Sequence, residues 1–221
     1  MCIVLFTKFQ REGEEKVSLA DAKRKKKEKQ LKNANKTKNS SIDSKKGGSS
    51  DSNQDNFTKI NLRVGIIESV KFHDSAETLY IETINLGEED GPRQIVSGLR
   101  LHYPDMESLI GRKVIVVANL KKANIKSVAS NGMVLCGVDR ETGATELVEP
   151  PSDAEIGERV FVEGFEGDFF SPSQEKKKKA WKKLQPQLGT NDKSFCVWEE
   201  KKLMTKSGPL TCASLTNAML K

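Results

Sequence analysis

Short apolar segments separated by polar turns fill residues 57–165, and this pattern is typical of a sheet-rich domain. Each segment is rich in β-branched residues or alternates apolar with polar positions, as half-buried strands do. The segment RKVIVVANL is almost wholly apolar, which favours a buried strand. The predicted strands cover residues 60–72, 79–87, 93–99, 112–120, 132–138 and 158–165.

One helix is predicted between the third and fourth strands. The segment YPDMESLIG, residues 103–111, has Pro104 where a helix would start and Gly111 where it would end. Residues 121–130 are predicted to be a basic, polar connector. The number of strands, the helix position and the domain size fit an oligonucleotide-binding (OB) barrel. We therefore predict a mainly β fold, with a five-stranded OB barrel over residues 56–165.

Residues 166–221 are predicted to form a separate α+β lobe. The segment SPSQEKKKKAWKKLQPQL, residues 171–188, predicts a helix with Trp181 and Leu184 on one side. The segment KSFCVWEEKKLMT, residues 193–205, predicts a hairpin. A unit this small cannot bury enough apolar surface to fold alone. We therefore expect the lobe to pack on the barrel.

The excess positive charge of the chain lies entirely in residues 1–55, which hold 14 Lys and Arg against 8 Asp and Glu. Residues 56–221 hold 23 of each. A Gly/Ser-rich linker at 45–54 follows the basic run, and we predict a disordered or transiently helical arm that attracts polyanions. A solubilising tail or a nuclear-import signal is the alternative. The basic run consists of Lys23, Arg24, Lys25, Lys26, Lys27 and Lys29.

Several classes of protein are disfavoured by what the sequence lacks. There is no apolar run near 18 residues and no secretory leader pattern, so we expect a cytoplasmic protein that does not span a membrane. The four cysteines form no CxxC pair, which favours reduced thiols over a zinc site. The two histidines, His73 and His102, belong to no recognisable catalytic constellation, and no phosphate loop is present. We expect no catalysis, metal or cofactor.

Four blocks of sequence together resemble one known family. They are LRVGIIESVKFHDSAETLYIETINLGE, RQIVSGL, VIVVANLKKANIKSVASNGMVLC and PPSDAEIGERV. They resemble the tRNA-binding domain of the endothelial monocyte-activating polypeptide II family, which includes p43-type components of multi-synthetase complexes. Similar domains end some methionyl- and tyrosyl-tRNA synthetases. The resemblance covers about residues 59–221 and implies an OB barrel. Its eukaryotic branch has an extra lobe that mimics a dimer interface, which implies a monomer here.

The block at residues 73–80 departs from the family pattern. The family usually has His-Pro-(Asp or Asn)-Ala-Asp-x-Leu-Tyr, whereas this chain has HDSAETLY. The missing proline predicts a looser turn, and it leaves the role of His73 open.

The resemblance also implies which residues contact RNA. It places the Asn-Leu-Lys and Ser-x-x-Met blocks on the RNA face, with VSGL as a second matching block. Lysines there would bind phosphates, short polar groups would bind riboses or base edges, and Met133 would pack on a base. Solvated loop charges and a core methionine are the alternatives, and for Ser97 a tight turn. The candidates are Asn119, Lys121, Lys122, Lys126, Ser130, Asn131, Met133 and Ser97, with Arg63, Lys71, Arg93 and Arg100 as possible phosphate contacts.

The sequence thus favours a non-catalytic protein that recognises folded tRNA by shape and backbone. Its expected partners are tRNA and one or more aminoacyl-tRNA synthetases, to which it would deliver tRNA. Two alternatives remain open, namely an interaction scaffold of a synthetase complex and a general single-stranded nucleic-acid binder. A single-strand binder usually stacks bases on exposed aromatics. The aromatic residues Tyr80 and Phe161 are instead predicted to lie in the core.

Overall fold

A five-stranded antiparallel sheet forms the first part of the fold. The computed structural model describes residues 57–221, so the predictions for the arm at 1–55 lie outside the described residues. The prediction of a mainly β protein is confirmed. The strands follow the spatial order β3-β2-β1-β4-β7. Their bounds are β1 Leu62–His73, β2 Ala76–Asn85, β3 Arg93–Ser97, β4 Lys113–Val117 and β7 Met133–Val134.

Strand β1 belongs to both halves of this sheet because it is long and irregular. Its first part pairs with β4, from Leu62 opposite Val117 to Ile66 opposite Lys113. Its second part pairs with β2, and the register shifts between Ile67 and Ser69. A bulge of this kind bends a strand and increases its twist. The bend lets one strand pair at both ends of a curved sheet.

A second sheet joins the end of the barrel to the C-terminal lobe. Its spatial order is β12-β11-β10-β15-β8-β9, so β15 lies between a lobe strand and a barrel strand. Met219 pairs with Val138 on one side and with Gly189 on the other. The predicted lobe therefore shares a sheet with the barrel. The bounds are β8 Cys136–Val138, β9 Thr145–Leu147, β10 Leu188–Thr190, β11 Cys196–Trp198, β12 Lys201–Lys202 and β15 Met219–Leu220.

The remaining elements are short. Strands β5 Ala123–Ile125 and β6 Val128–Ser130 form one hairpin, and β13 Met204–Thr205 pairs with β14 Gly208–Pro209. Within residues 57–221 two α-helices form, α1 Pro172–Lys178 and α2 Ala180–Leu184. Single 3₁₀ turns cover Phe57–Lys59, Leu99–Leu101, Met106–Leu109 and Gln185–Gln187.

The core also unites barrel and lobe. One cluster of buried side chains includes Leu62 and Val117 from the barrel together with Trp198 and Leu220 from the lobe. The Trp198 ring stacks on Phe57, with ring centroids 5.4 Å apart. Burial of large aromatic and aliphatic side chains is the main stabilising contribution in such a core. The lobe is thus stabilised by surface that the barrel supplies.

The helix predicted at 103–111 is wrong, since only the 3₁₀ turn Met106–Leu109 forms there. The hydroxyl of Tyr80 donates to the carbonyl oxygens of Tyr103 and Pro104, at 2.9 and 3.1 Å. These bonds tie the segment before the 3₁₀ turn to β2. Asp105 then caps the short turn by accepting from the Glu107 N–H.

Three other predicted elements also differ. Residues 121–130 were predicted as a connector and instead contain the β5–β6 hairpin. Residues 158–165 form only isolated bridges, for example Phe161 with Met204. The helix predicted at 171–188 is interrupted at Lys179, whose φ of 54° is left-handed and ends α1.

A glycine in β1 permits the close approach of two core side chains. A Cβ at Gly65 would lie 2.6 Å from Leu86 Cδ2 and 2.7 Å from Ile84 Cγ2. We therefore expect Gly65→Ala to lower the free energy of unfolding by about 1–3 kcal/mol, measured by urea denaturation. Gly98→Ala is the matched control, because no atom lies within 4 Å of its Cβ position. Equal effects of the two substitutions would contradict this packing argument.

Candidate nucleic-acid interface

Exposed lysines lie on and beside the β5–β6 hairpin. Lys121 and Lys122 precede β5, and Lys126 lies at the tip, and all three are exposed. Lys126 and Ser127 both have positive φ, 48° and 71°, which suits a tight two-residue turn between antiparallel strands. The turn therefore places Lys126 at the tip of the hairpin, and RNA contact by Lys126 stays a prediction.

The base of the hairpin is fastened to β3. Gln94 Nε2 donates to the carbonyl of Ala129 at 2.7 Å, and the Val96 N–H donates to Ser130 Oγ at 3.0 Å. The Asn131 N–H donates to the Gln94 carbonyl at 2.8 Å. Ser130 is buried, and its hydroxyl joins β6 to β3. The prediction that Ser130 lies on the RNA-facing surface is therefore contradicted by its burial. Asn131 is half-buried at the edge of the same junction.

His73 fastens the hairpin from the other side. Its Nδ1 accepts from the Ser75 N–H at 3.2 Å, and its Nε2 lies 3.3 Å from the Ile125 carbonyl oxygen. The accepting Nδ1 implies that Nε2 bears the proton and donates to Ile125. His73 is buried. Its role is therefore to position the hairpin.

Asn119 is a structural residue, contrary to its predicted place on the RNA face. The side chain is 2% exposed. Its Oδ1 accepts from the Asn61 N–H at 2.9 Å, and its Nδ2 donates to the carbonyls of Lys59 and Phe170. These three bonds join the start of the described chain, the end of β4 and the segment before α1. The side chain has no surface to offer to a ligand.

Two of the predicted phosphate contacts are occupied within the protein. Arg93 binds Glu88 through two bonds of 2.6 and 2.7 Å and also donates to the carbonyl of Ala118. Arg63 donates to the Gly157 carbonyl and contacts Glu88 at 3.4 Å. The hydrogen bond from Arg93 is the largest cause of the lowered pKa of Glu88. The single carboxylate of Glu88 therefore balances one of the two positive charges, and backbone carbonyls occupy further donors of both arginines.

Arg100 lies beside an exposed aromatic ring that the sequence analysis missed. The guanidinium of Arg100 lies 4.4 Å from the centre of the Phe72 ring, and Phe72 is 48% exposed. Such a stacked pair offers a flat surface to a base. Lys71, the preceding residue of β1, is also exposed, but strand alternation directs its side chain to the other face. Strand alternation places Phe72 with the buried Val70, so the pattern gave no sign of its exposure.

A cleft of ≈ 530 Å³ separates part of the barrel from the lobe. The barrel wall contains residues 96–99, including Ser97, and the partly buried Met133. The lobe wall contains Trp181 and Gln185. Ser97 and Met133, which were both predicted to contact RNA, therefore line the same cleft.

A buried carboxyl group lies behind this cleft. The Ser97 hydroxyl donates to Glu82 Oε1 at 2.6 Å, while Glu82 Oε2 has no hydrogen-bond partner among the described residues. Burial raises the pKa of Glu82 to about 7, although the Ser97 bond opposes the shift. Burial also raises the pKa of the Cys136 thiol to about 12. One feature of the sequence indicated that Glu82 is buried. It alternates with Tyr80 and Ile84 along β2, on the side of the strand that faces the core.

The structure also limits other kinds of site. Within residues 57–221, no three His, Cys, Asp or Glu side chains are grouped so that they could hold a metal ion. No helix in that range is long and apolar enough to cross a membrane.

Comparison with known proteins assigns this chain to a family. Residues 62–159 match the family described as "Putative tRNA binding domain". A crystal structure of the C-terminal domain of Plasmodium vivax p43 is 35% identical, with a TM-score of 0.68, and the alignment covers 76% of this chain and 99% of that one. This chain belongs to the tRNA-binding domain family of p43. The prediction of an OB-type fold with a p43-like domain is confirmed.

Curated relatives extend the comparison. The tRNA-aminoacylation cofactor arc1 of Schizosaccharomyces pombe is 39% identical over 141 residues, which are 64% of this chain and 31% of arc1. The cytoplasmic tyrosine–tRNA ligase of Xenopus tropicalis is 38% identical over 157 residues, which are 71% of this chain and 29% of the ligase. The chain therefore spans about three tenths of these relatives. It carries a tRNA-binding domain related to those of the arc1 and p43 cofactors.

The buried carboxyl predicts a pH dependence of stability. Folding raises the pKa of the Glu82 carboxyl from 4.5 to about 7, so protonation of Glu82 stabilises the folded state. This stabilisation is complete below pH 4.5. That contribution is lost as the pH rises to 7, and it amounts to about 3 kcal/mol. We expect Glu82→Gln to gain about this much stability relative to the wild type between pH 4 and pH 8, measured by urea denaturation.

The control for this prediction is Glu77→Gln, which changes an exposed carboxyl on the same strand. Its stability relative to the wild type should stay nearly constant over the same range. A flat difference for Glu82→Gln as well would show that the carboxyl is hydrated in solution.

Proposed function

We propose that this chain binds folded tRNA as a non-catalytic cofactor of aminoacyl-tRNA synthetases. The observation that carries the proposal is the match to almost the whole p43 C-terminal domain together with the arc1 relative. The matches to tyrosine–tRNA ligases cover only about three tenths of those enzymes, which favours the cofactor reading over a ligase. The finer parts of the proposal concern the RNA face, the synthetase partner, a cytoplasmic location and a monomeric state.

The RNA face is proposed to consist of the free cations of the hairpin and its neighbours. Residues 57–221, which exclude the arm, contain as many acidic as basic residues. Because the net charge of this part is zero, the position of each lysine decides where phosphates bind. Lys121, Lys122 and Lys126 are exposed and form no ion pair with a described residue. Shape and backbone contacts of this kind dominate recognition of folded RNA.

A general single-strand binder remains the second candidate because exposed aromatics are present. Phe161 is 38% exposed and Phe169 is 46% exposed, so the prediction that Phe161 lies in the core is wrong. The buried position predicted for Tyr80 is confirmed, at 0% exposure. Competition with poly(U) separates the two functions. Displacement of labelled tRNA by an equal mass of poly(U) would favour the single-strand binder.

An interaction scaffold is the third candidate. We expect capture of a synthetase from a lysate to weaken after nuclease treatment, because tRNA would bridge the two proteins. Capture that survives both nuclease and removal of residues 56–221 would assign the interaction to the arm alone.

The hairpin lysines provide the first test of tRNA binding. Each phosphate contact near the surface contributes on the order of 1 kcal/mol. Lys121→Glu with Lys122→Glu should therefore weaken binding of deacylated tRNA on the order of tenfold or more, measured by filter binding at low salt. Lys193→Glu with Lys206→Glu is the charge-matched control on the lobe, where both lysines are exposed. An equal loss in both double variants would mean that only net charge matters.

The arm provides the second test. If it neutralises about 6 phosphates, affinity should fall roughly a thousandfold between about 50 and 200 mM salt. Removal of residues 1–55 should weaken binding and eliminate most of this salt dependence, measured as the slope of log affinity against log salt. An unchanged slope would exclude the arm as a phosphate contact.

A further inference from the structure

The lobe supplies one flat aromatic side chain to the cleft. Trp181 lines it, whereas Trp198 is 1% exposed and packs in the core. The indole N–H of Trp198 donates to Gln187 Oε1 at 2.8 Å. The indole N–H of Trp181 has no acceptor among residues 57–221, and its ring is only partly buried. These are the only two tryptophans of the chain, and they therefore occupy very different environments.

The position of Trp181 is fixed by its own backbone. Its N–H donates to Glu175 Oε1 at 3.2 Å, and Glu175 is buried. The left-handed Lys179 turns the chain between α1 and α2, and the buried Ala180 and Leu184 of α2 belong to the core cluster against which Trp181 also packs. A side chain held in this way loses little conformational entropy when a ligand stacks on it.

The walls around Trp181 combine soft apolar and polar groups. Met133 provides a thioether from the barrel, and no atom lies within 4 Å of a Cβ placed on Gly98. Gln185 Nε2 donates to the Leu220 carbonyl at 3.1 Å, which leaves Oε1 without a bond to any described residue. The cleft volume of ≈ 530 Å³ lies in the usual range for small-ligand sites, roughly 300–1,000 Å³.

The cations next to the cleft favour an anionic ligand. Lys182 and Lys183 follow Trp181 in α2 and are exposed, and Lys221 lines the cleft itself. A flat ring, a thioether, an amide and neighbouring ammonium groups are the chemistry that an unpaired nucleotide requires. Resting on the proposed function, we propose that this cleft receives one unpaired base of the bound RNA, stacked on Trp181. The lobe is then part of the RNA site and more than a support for the barrel.

The emission of Trp181 tests this proposal in the unaltered chain. Addition of deacylated tRNA at low salt should quench the partly exposed Trp181 by stacking and leave the buried Trp198 unchanged. Trp181→Phe should bind tRNA with nearly wild-type affinity and lose the quenching. A fully paired RNA duplex of similar length should bind through its phosphates without quenching. Emission of the wild type that is unchanged at saturating tRNA would overturn the proposal.

Affinity provides an independent readout. Loss of one base–aromatic stack corresponds to a fall in affinity of about 5- to 150-fold, so Trp181→Ala should weaken tRNA binding by that factor. Circular dichroism melting should show that the variant is folded, and Trp181→Phe should restore binding. Wild-type affinity in Trp181→Ala would refute the base site and leave tRNA binding intact. A wild-type chain that ignores tRNA would instead refute the proposed function.

Discussion

Pairing of β15 with strands on both of its sides is the interaction on which the rest of the structure depends. Its partners β8 and β10 come from the barrel and the lobe, and Cys136 exchanges two backbone hydrogen bonds with Lys221. Both the shared core around Trp198 and the cleft beside Trp181 require this continuous sheet. Barrel and lobe therefore belong to one compact unit.

The positively charged side chains of the barrel fall into two groups. Arg63 and Arg93 are held by Glu88 and by backbone carbonyls, so they stabilise the barrel. The hairpin lysines have no such partners within residues 57–221 and stay available for phosphates. A body with as many acidic as basic residues can thus present exposed lysines on the β5–β6 hairpin, because these lysines form no ion pair with a described residue.

Local patterns in the sequence predicted most strands. Features that depend on contacts between residues far apart in the chain were not predicted. Strands β1 to β3 were predicted from alternation and β-branched content, and β4 from its almost wholly apolar run, whereas RNA contact by Lys121, Lys122 and Met133 stays a prediction from the family blocks. The failures have specific causes. Asn119 is buried by bonds to Lys59 and Phe170, about 50 to 60 residues away in the chain, which no local pattern reveals. The segment at Tyr103 is bonded to the Tyr80 hydroxyl, a contact that no local pattern reveals, and two-residue strands such as β15 are too short to show periodicity.

The position of Lys221 has a practical consequence for work on this chain. Because it is exposed and lines the cleft, any polypeptide continuing beyond it would emerge at the opening of that space. A carboxyl-terminal purification tag or fluorescent fusion would compete sterically with whatever enters there. Immobilisation through that residue would obstruct the lobe side of the cleft as well.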